Sequence, residues 1–91
     1  MRTCPCCGYQ TLQDPHPGSY EVCPICYWED DQIQLADPDY EGGANKVPLR
    51  QAQRNFAEFG ACEEGMRQHV RPPSRGDVRD PLWKPLDESG R

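Results

Sequence analysis

A chain of 91 residues that is only 35% hydrophobic, with 10 prolines and 8 glycines, suffices for one small domain with a thin apolar core. No long apolar run offers a membrane span, and the thin core calls for a staple beyond apolar burial. The formal net charge of −5 is uneven: residues 1–45 hold eight acidic residues against Arg2 alone, and residues 46–91 hold nine basic against seven acidic. Phosphate backbones are bound by clustered Lys and Arg, so the acidic half has the wrong sign for nucleic acid and suits a basic protein surface.

The first element along the chain is Thr3-Cys4-Pro5-Cys6-Cys7-Gly8, with three cysteines in four positions. Val22-Cys23-Pro24-Ile25-Cys26 repeats the Cys-Pro-x-Cys spacing, which sets the first pair as Cys4 and Cys7 and leaves Cys6 over. Two Cys-x2-Cys turns separated by fifteen residues have the spacing of a four-thiolate metal site. Turn amides are available to the thiolates, and Gly8 can take the positive φ that closes the first turn. Four thiolates at about 2.3 Å around Zn2+ leave no open position, so the expected role of Cys4, Cys7, Cys23 and Cys26 is structural. Iron is the rival metal, because the paired turns on an acidic small domain also resemble rubredoxin, a one-electron carrier. Met1 leads at once to Arg2, Thr3 and Cys4 with no apolar export segment, so a cytoplasmic protein is expected. In that compartment clustered cysteines are metal ligands more often than disulfides.

Between the Cys pairs, Asp14-Pro15-His16-Pro17-Gly18 is a dense turn signal flanked by Tyr9, Thr11, Tyr20 and Val22. It predicts one β-hairpin carrying a Cys pair at each root. Tyr27 to Leu35 predicts a third short strand, followed by a polar loop over residues 36–45. Glu29, Asp30 and Asp31 read as a solvated acidic edge and as the candidate contact for a basic partner. Asp37-Pro38-Asp39-Tyr40-Glu41-Gly42 opens like a calcium loop, but Pro48 stands at the twelfth position, where a bidentate Glu is required.

From Pro48 the period changes, with Leu49, Ala52, Phe56 and Phe59 at helical spacing. One amphipathic helix is predicted over about residues 48–59, started by Pro48, stopped by Gly60, and packing Leu49, Phe56 and Phe59 on the ribbon. Residues 61–69 predict a short turn or helix. The Pro-rich remainder reads as an extended tail anchored by Val78, Leu82, Trp83 and Leu86, with Trp83 as the pin and the last few residues fraying. Arg67, Arg71, Arg75 and Arg79 lie four apart, but Pro72, Pro73 and Gly76 forbid the helix that would align them.

Cys6 and Cys62 read as small buried apolar side chains, and neither His16 nor His69 has an evident partner for nucleophilic catalysis. The ordered motifs CPCCGYQTL, GSYEVCPICYWEDD, GGAN, LRQAQRNFAEFGAC and RDPLWKPL resemble the bacterial cysteine-rich CPCC family across nearly the whole chain. That resemblance implies a compact cytoplasmic protein with a zinc ribbon and brings no activity with it. Pro48 departs from the helix-capping Ser that the resemblance implies, a change the first helical position accepts.

The residues thus predict a single α+β domain over 1–91, a small zinc-ribbon or rubredoxin-like hairpin clamped by one Cys4 metal site. Residues 1–45 form the metal ribbon and acidic loop, 46–70 the helical part and 71–91 the tail. The expected function is non-catalytic protein binding, with a basic partner such as a nuclease toxin covered by an immunity-like inhibitor. The alternatives are a rubredoxin-like iron electron carrier and a thiol enzyme using Cys6 or Cys62.

Overall fold

The computed structural model describes residues 1–86; the expected fraying of the last few residues concerns positions outside that range. Among the described residues the chain forms β1 (Arg2–Thr3), β2 (Gln10–Leu12), α1 (Gln32–Ala36), α2 (Leu49–Phe59) and a 3-10 turn at Glu64–Met66. A two-stranded antiparallel hairpin, one main helix and an extended C-terminal segment make the fold α+β.

Strands β1 and β2 pair Arg2 with Leu12 and Thr3 with Gln10, with a bulge between Arg2 and Thr3. The turn that joins them contains Cys4 and Cys7. A second antiparallel contact, Val22 with Glu29, brackets Cys23 and Cys26. Each Cys pair therefore sits in its own turn, and not at the root of one hairpin running from Tyr9 to Val22. The turn at residues 14–18 does form: the His16 N–H donates to Asp14 Oδ1 at 2.9 Å, and Gly18 adopts φ 86°. Just beyond it Tyr20 takes φ 60°, which interrupts the extended run needed to ladder against β2. The Glu21 carboxylate instead accepts from the Gln13 and Asp14 amides.

The predicted third strand is replaced by the Glu29 bridge and α1. The Asp31 Oδ1 caps α1 by accepting from the Ile33 and Gln34 amides, the arrangement an N-cap aspartate favours. An alternating strand would have buried Ile33 and Leu35; instead Ile33 is 58% exposed and Gln34 is buried. The Gln34 amide donates to the carbonyls of Tyr40, Asn45 and Val47 and accepts from the Asn45 N–H and Nδ2, pinning the 37–47 loop. Gly43 makes room for this hub, because a Cβ there would lie 2.6 Å from Gln34 Cδ. Gln34→Ala strands several buried polar groups and is expected to cost about 3 kcal/mol, read as a lower urea midpoint. An unchanged midpoint would show that the loop holds itself.

Helix α2 begins one residue inside the predicted span, with Pro48 as N-cap, and ends at Gly60, whose φ of 83° lets its N–H reach the Phe56 carbonyl at 2.9 Å. Leu49, Ala52 and Gln53 are buried and Phe56 packs on the core. Phe59 does not join that core; it lies beneath the Arg67 guanidinium at 5.1 Å. Leu12, Ile25, Trp28, Leu49 and Ala52 share the core with all six cysteines. Cysteines outnumber the other side chains in that buried cluster.

The C-terminal segment crosses back over the first Cys turn. The Gln10 N–H donates to the Val78 carbonyl at 2.9 Å, the Asp80 N–H to the Gly8 carbonyl at 2.8 Å, and the Thr3 hydroxyl to Asp80 Oδ2 at 2.6 Å. Two of the four expected anchors are corrected: Val78 is 57% and Leu82 87% exposed, so backbone hydrogen bonds hold that stretch where side chains were expected to. Trp83 and Leu86 do dock. The Trp83 Nε1–H donates to the Pro5 carbonyl at 3.0 Å, and the Leu86 N–H donates to Gln53 Oε1 at 2.7 Å.

Candidate metal centre

The two Cys turns are built alike. In the first, the Gly8 N–H donates to the Cys4 carbonyl at 2.9 Å and the Cys4 N–H to the Tyr9 carbonyl at 2.9 Å. In the second, the Tyr27 N–H donates to the Cys23 carbonyl at 2.8 Å and the Cys23 N–H to the Trp28 carbonyl at 3.0 Å. The closing residue needs a left-handed backbone in both, and Gly8 supplies it at φ 82°. Tyr27 adopts φ 70° in the matching position, a conformation that costs an L side chain about 1–2 kcal/mol. Its ring stacks on His69 with centroids 5.3 Å apart and packs against the core, contacts that hold it there. The turn amides close on carbonyls; the amide donors to sulfur expected from the sequence do not appear among the described residues.

Facing one another, the turns bring the sulfurs of Cys4, Cys7, Cys23 and Cys26 within 4.8 Å, all four side chains fully buried. Cys4 Sγ lies 3.6 Å from Cys26 Sγ and Cys7 Sγ 3.8 Å from Cys23 Sγ. Disulfides need about 2.05 Å, so these are free thiols. A tetrahedron with metal–sulfur bonds of about 2.3 Å has edges of about 3.8 Å, close to both separations. The cluster is the right size and softness to hold a metal ion.

Burial pushes the Cys4 and Cys26 thiols well above the ordinary range. Cys23 is held far below it by hydrogen bonds from Cys26, Cys4 and Cys7, with Thr11 adding its own. Metal binds sulfur as thiolate, so loading the cluster releases the protons its thiols carry.

The family model for cysteine-rich CPCC proteins matches residues 2–77. The chain belongs to the cysteine-rich CPCC family. No curated protein matches it. For this CPCC chain the match spans both Cys turns, α1, α2 and the Glu64–Met66 turn.

The other predicted residues fall outside the cluster. Cys6 and Cys62 are buried in the core beside it, with the Cys62 N–H donating to the Cys26 carbonyl at 2.8 Å. Burial, with Cys6 and Glu63 nearby, pushes the Cys62 thiol up to about 12. The acidic edge is corrected: Asp30 is 0% and Asp31 4% exposed, and Glu29 is half-buried. Asp30 Oδ2 accepts from Arg2, the Ser19 N–H and the Ser19 hydroxyl. Burial raises the Asp31 pKa, but amide donors from Ala44, Gln34 and Ile33 outweigh it and hold the carboxyl below its usual range. The Asp30 and Asp31 carboxylates serve the fold, and a consecutive acidic run gives no sign of that in sequence.

Two residues that sequence reasoning missed brace the centre. Gln53 donates from Nε2 to the Pro5 carbonyl at 2.8 Å while accepting from Leu86, so one amide ties the first Cys turn, α2 and the C-terminal segment together. Thr11 donates from its hydroxyl to Cys23 Sγ at 3.0 Å. Its place in β2, on the face opposite buried Leu12, gave no sign of this contact.

Proposed function

We propose that the chain is a small non-catalytic protein whose fold is clamped by one Zn2+ on Cys4, Cys7, Cys23 and Cys26, and which acts by binding another protein. The observation that carries the metal reading is the buried four-sulfur cluster with edges of 3.6 and 3.8 Å. Zinc suits it because a closed-shell ion on four thiolates supplies folding energy without redox chemistry. Four protein ligands leave no coordination position for a substrate.

A thiol enzyme is disfavoured by burial of both spare cysteines, since the thiolate is the attacking species and Cys62 is held neutral. Both are expected to label slowly with iodoacetamide in the folded, metal-loaded protein. Rapid labelling of either would revive that alternative.

The protein-binding part rests on charge. With Asp30 and Asp31 buried, half-buried Glu29 and exposed Asp14, Asp37 and Glu41 are the carboxylates left for a basic partner to meet. A partner captured at low salt, released at high salt and lost with Asp37→Lys and Glu41→Lys is the expected outcome. Capture indifferent to salt and to both substitutions would remove the charge argument.

A further inference from the structure

Among the four clustered sulfurs, Cys23 differs from the others in its surroundings. The Thr11 hydroxyl lies 3.0 Å from Cys23 Sγ, and among the described residues no other hydroxyl donates to a cluster sulfur. Thr11 is half-buried and also lines an open groove of about 390 Å3, together with Pro24, Arg71, Asp77 and Val78. The groove is shaped by the Arg71 N–H, which donates to the Pro24 carbonyl at 3.3 Å, and by the Arg71 pair with Asp77 at 2.7 Å. Thr11 thus stands between solvent and the Cys23 corner of the cluster.

We infer that Thr11 is a positioning residue of the metal centre, whose hydroxyl holds the Cys23 thiolate as a ligand and shields that corner from competing chelators and electrophiles. The inference rests on the four-thiolate reading above. Four thiolates around one dication leave a net charge of −2, and a donor on one sulfur withdraws part of it. That makes the sulfur a poorer target for protons and alkylating agents while it stays on the metal. Outer donors of this kind change metal affinity by about 10–100-fold.

The test compares wild type, Thr11→Val and Thr11→Ser, each loaded with Zn2+ or Co2+. Valine keeps the β-branched shape that suits β2, and serine keeps the hydroxyl. Thr11→Val is expected to lose Zn2+ to a chelator about tenfold more readily, to shift the thiolate-to-Co2+ charge-transfer band to lower energy, and to make Cys23 the first cysteine alkylated by iodoacetamide, as mapped by mass spectrometry. Thr11→Ser should match wild type on all three. A Thr11→Val protein with wild-type metal loss, band and alkylation order overturns the inference. So does equal acceleration at all four cysteines, which is general loosening, or a Thr11→Ser protein that behaves like Thr11→Val. Wild type that takes up neither metal overturns the four-thiolate reading itself, and with it this one.

Discussion

Replacing any one of Cys4, Cys7, Cys23 or Cys26 by serine should abolish metal binding and most of the fold, whereas Cys6→Ser and Cys62→Ser should each keep one bound metal. The asymmetry follows from geometry: the first four sulfurs converge within 4.8 Å, and the other two lie beside the cluster. Structural zinc binds with about 10–16 kcal/mol, comparable to the whole stability of a small domain at about 5–15 kcal/mol. The aliphatic and aromatic remainder of the core is Leu12, Ile25, Trp28, Leu49 and Ala52, too little to hold the chain when the centre is lost. Burying a serine hydroxyl at position 6 or 62 costs about 1–3 kcal/mol, which lowers the melting temperature without releasing the ion. Metal-to-protein ratios and far-ultraviolet circular dichroism check both halves. Metal released by Cys6→Ser and retained by Cys4→Ser would reverse the assigned register.

Trp83→Ala is the second large effect. The indole donates to the Pro5 carbonyl, covers Gly8 and carries the Arg79 guanidinium at 5.0 Å from its ring. Removing it should destabilise the protein by about 2–3 kcal/mol and free the C-terminal segment, seen as faster tryptic cleavage after Arg75 or Arg79 with metal content unchanged. Gly8→Ala should reproduce this from the other side. Its φ is 82°, and an added Cβ would meet the Trp83 ring at 2.6 Å, a clash that the rigid indole cannot relieve without undocking. Unchanged cleavage in Trp83→Ala would mean that the bonds at Val78, Asp80 and Leu86 hold the segment without the indole.

Local signals were the legible ones. The Cys-x2-Cys repeats encode converging sulfurs because both members of a pair sit in one tight turn, and α2 is marked by its period, by Pro48 and by Gly60 within a dozen residues. What sequence concealed was decided by contacts distant along the chain. Tyr20 and Tyr27 adopt left-handed backbone that their residue type disfavours, so the strand pattern across residues 9–22 gave a hairpin where two separate Cys turns form. Gln34, Gln53 and Asn45 are buried as hydrogen-bond hubs, inverting the rule that polar residues face water. Asp30 and Asp31 looked like a charged edge because nothing local announces Arg2, Ser19 or Ala44 as their partners. For the same reason Val78 and Leu82 passed for anchors on hydrophobicity alone, while backbone bonds to Gly8 and Gln10 do the holding.

The most direct measurement is the metal content of the purified wild-type protein together with its visible absorption spectrum. One Zn2+ per chain and no visible colour, with unfolding when a chelator strips the ion, is the result the proposed zinc clamp predicts. A folded protein that carries no metal, or a red one with one iron per chain and thiolate-to-iron bands that bleach on reduction, would contradict a structural zinc clamp.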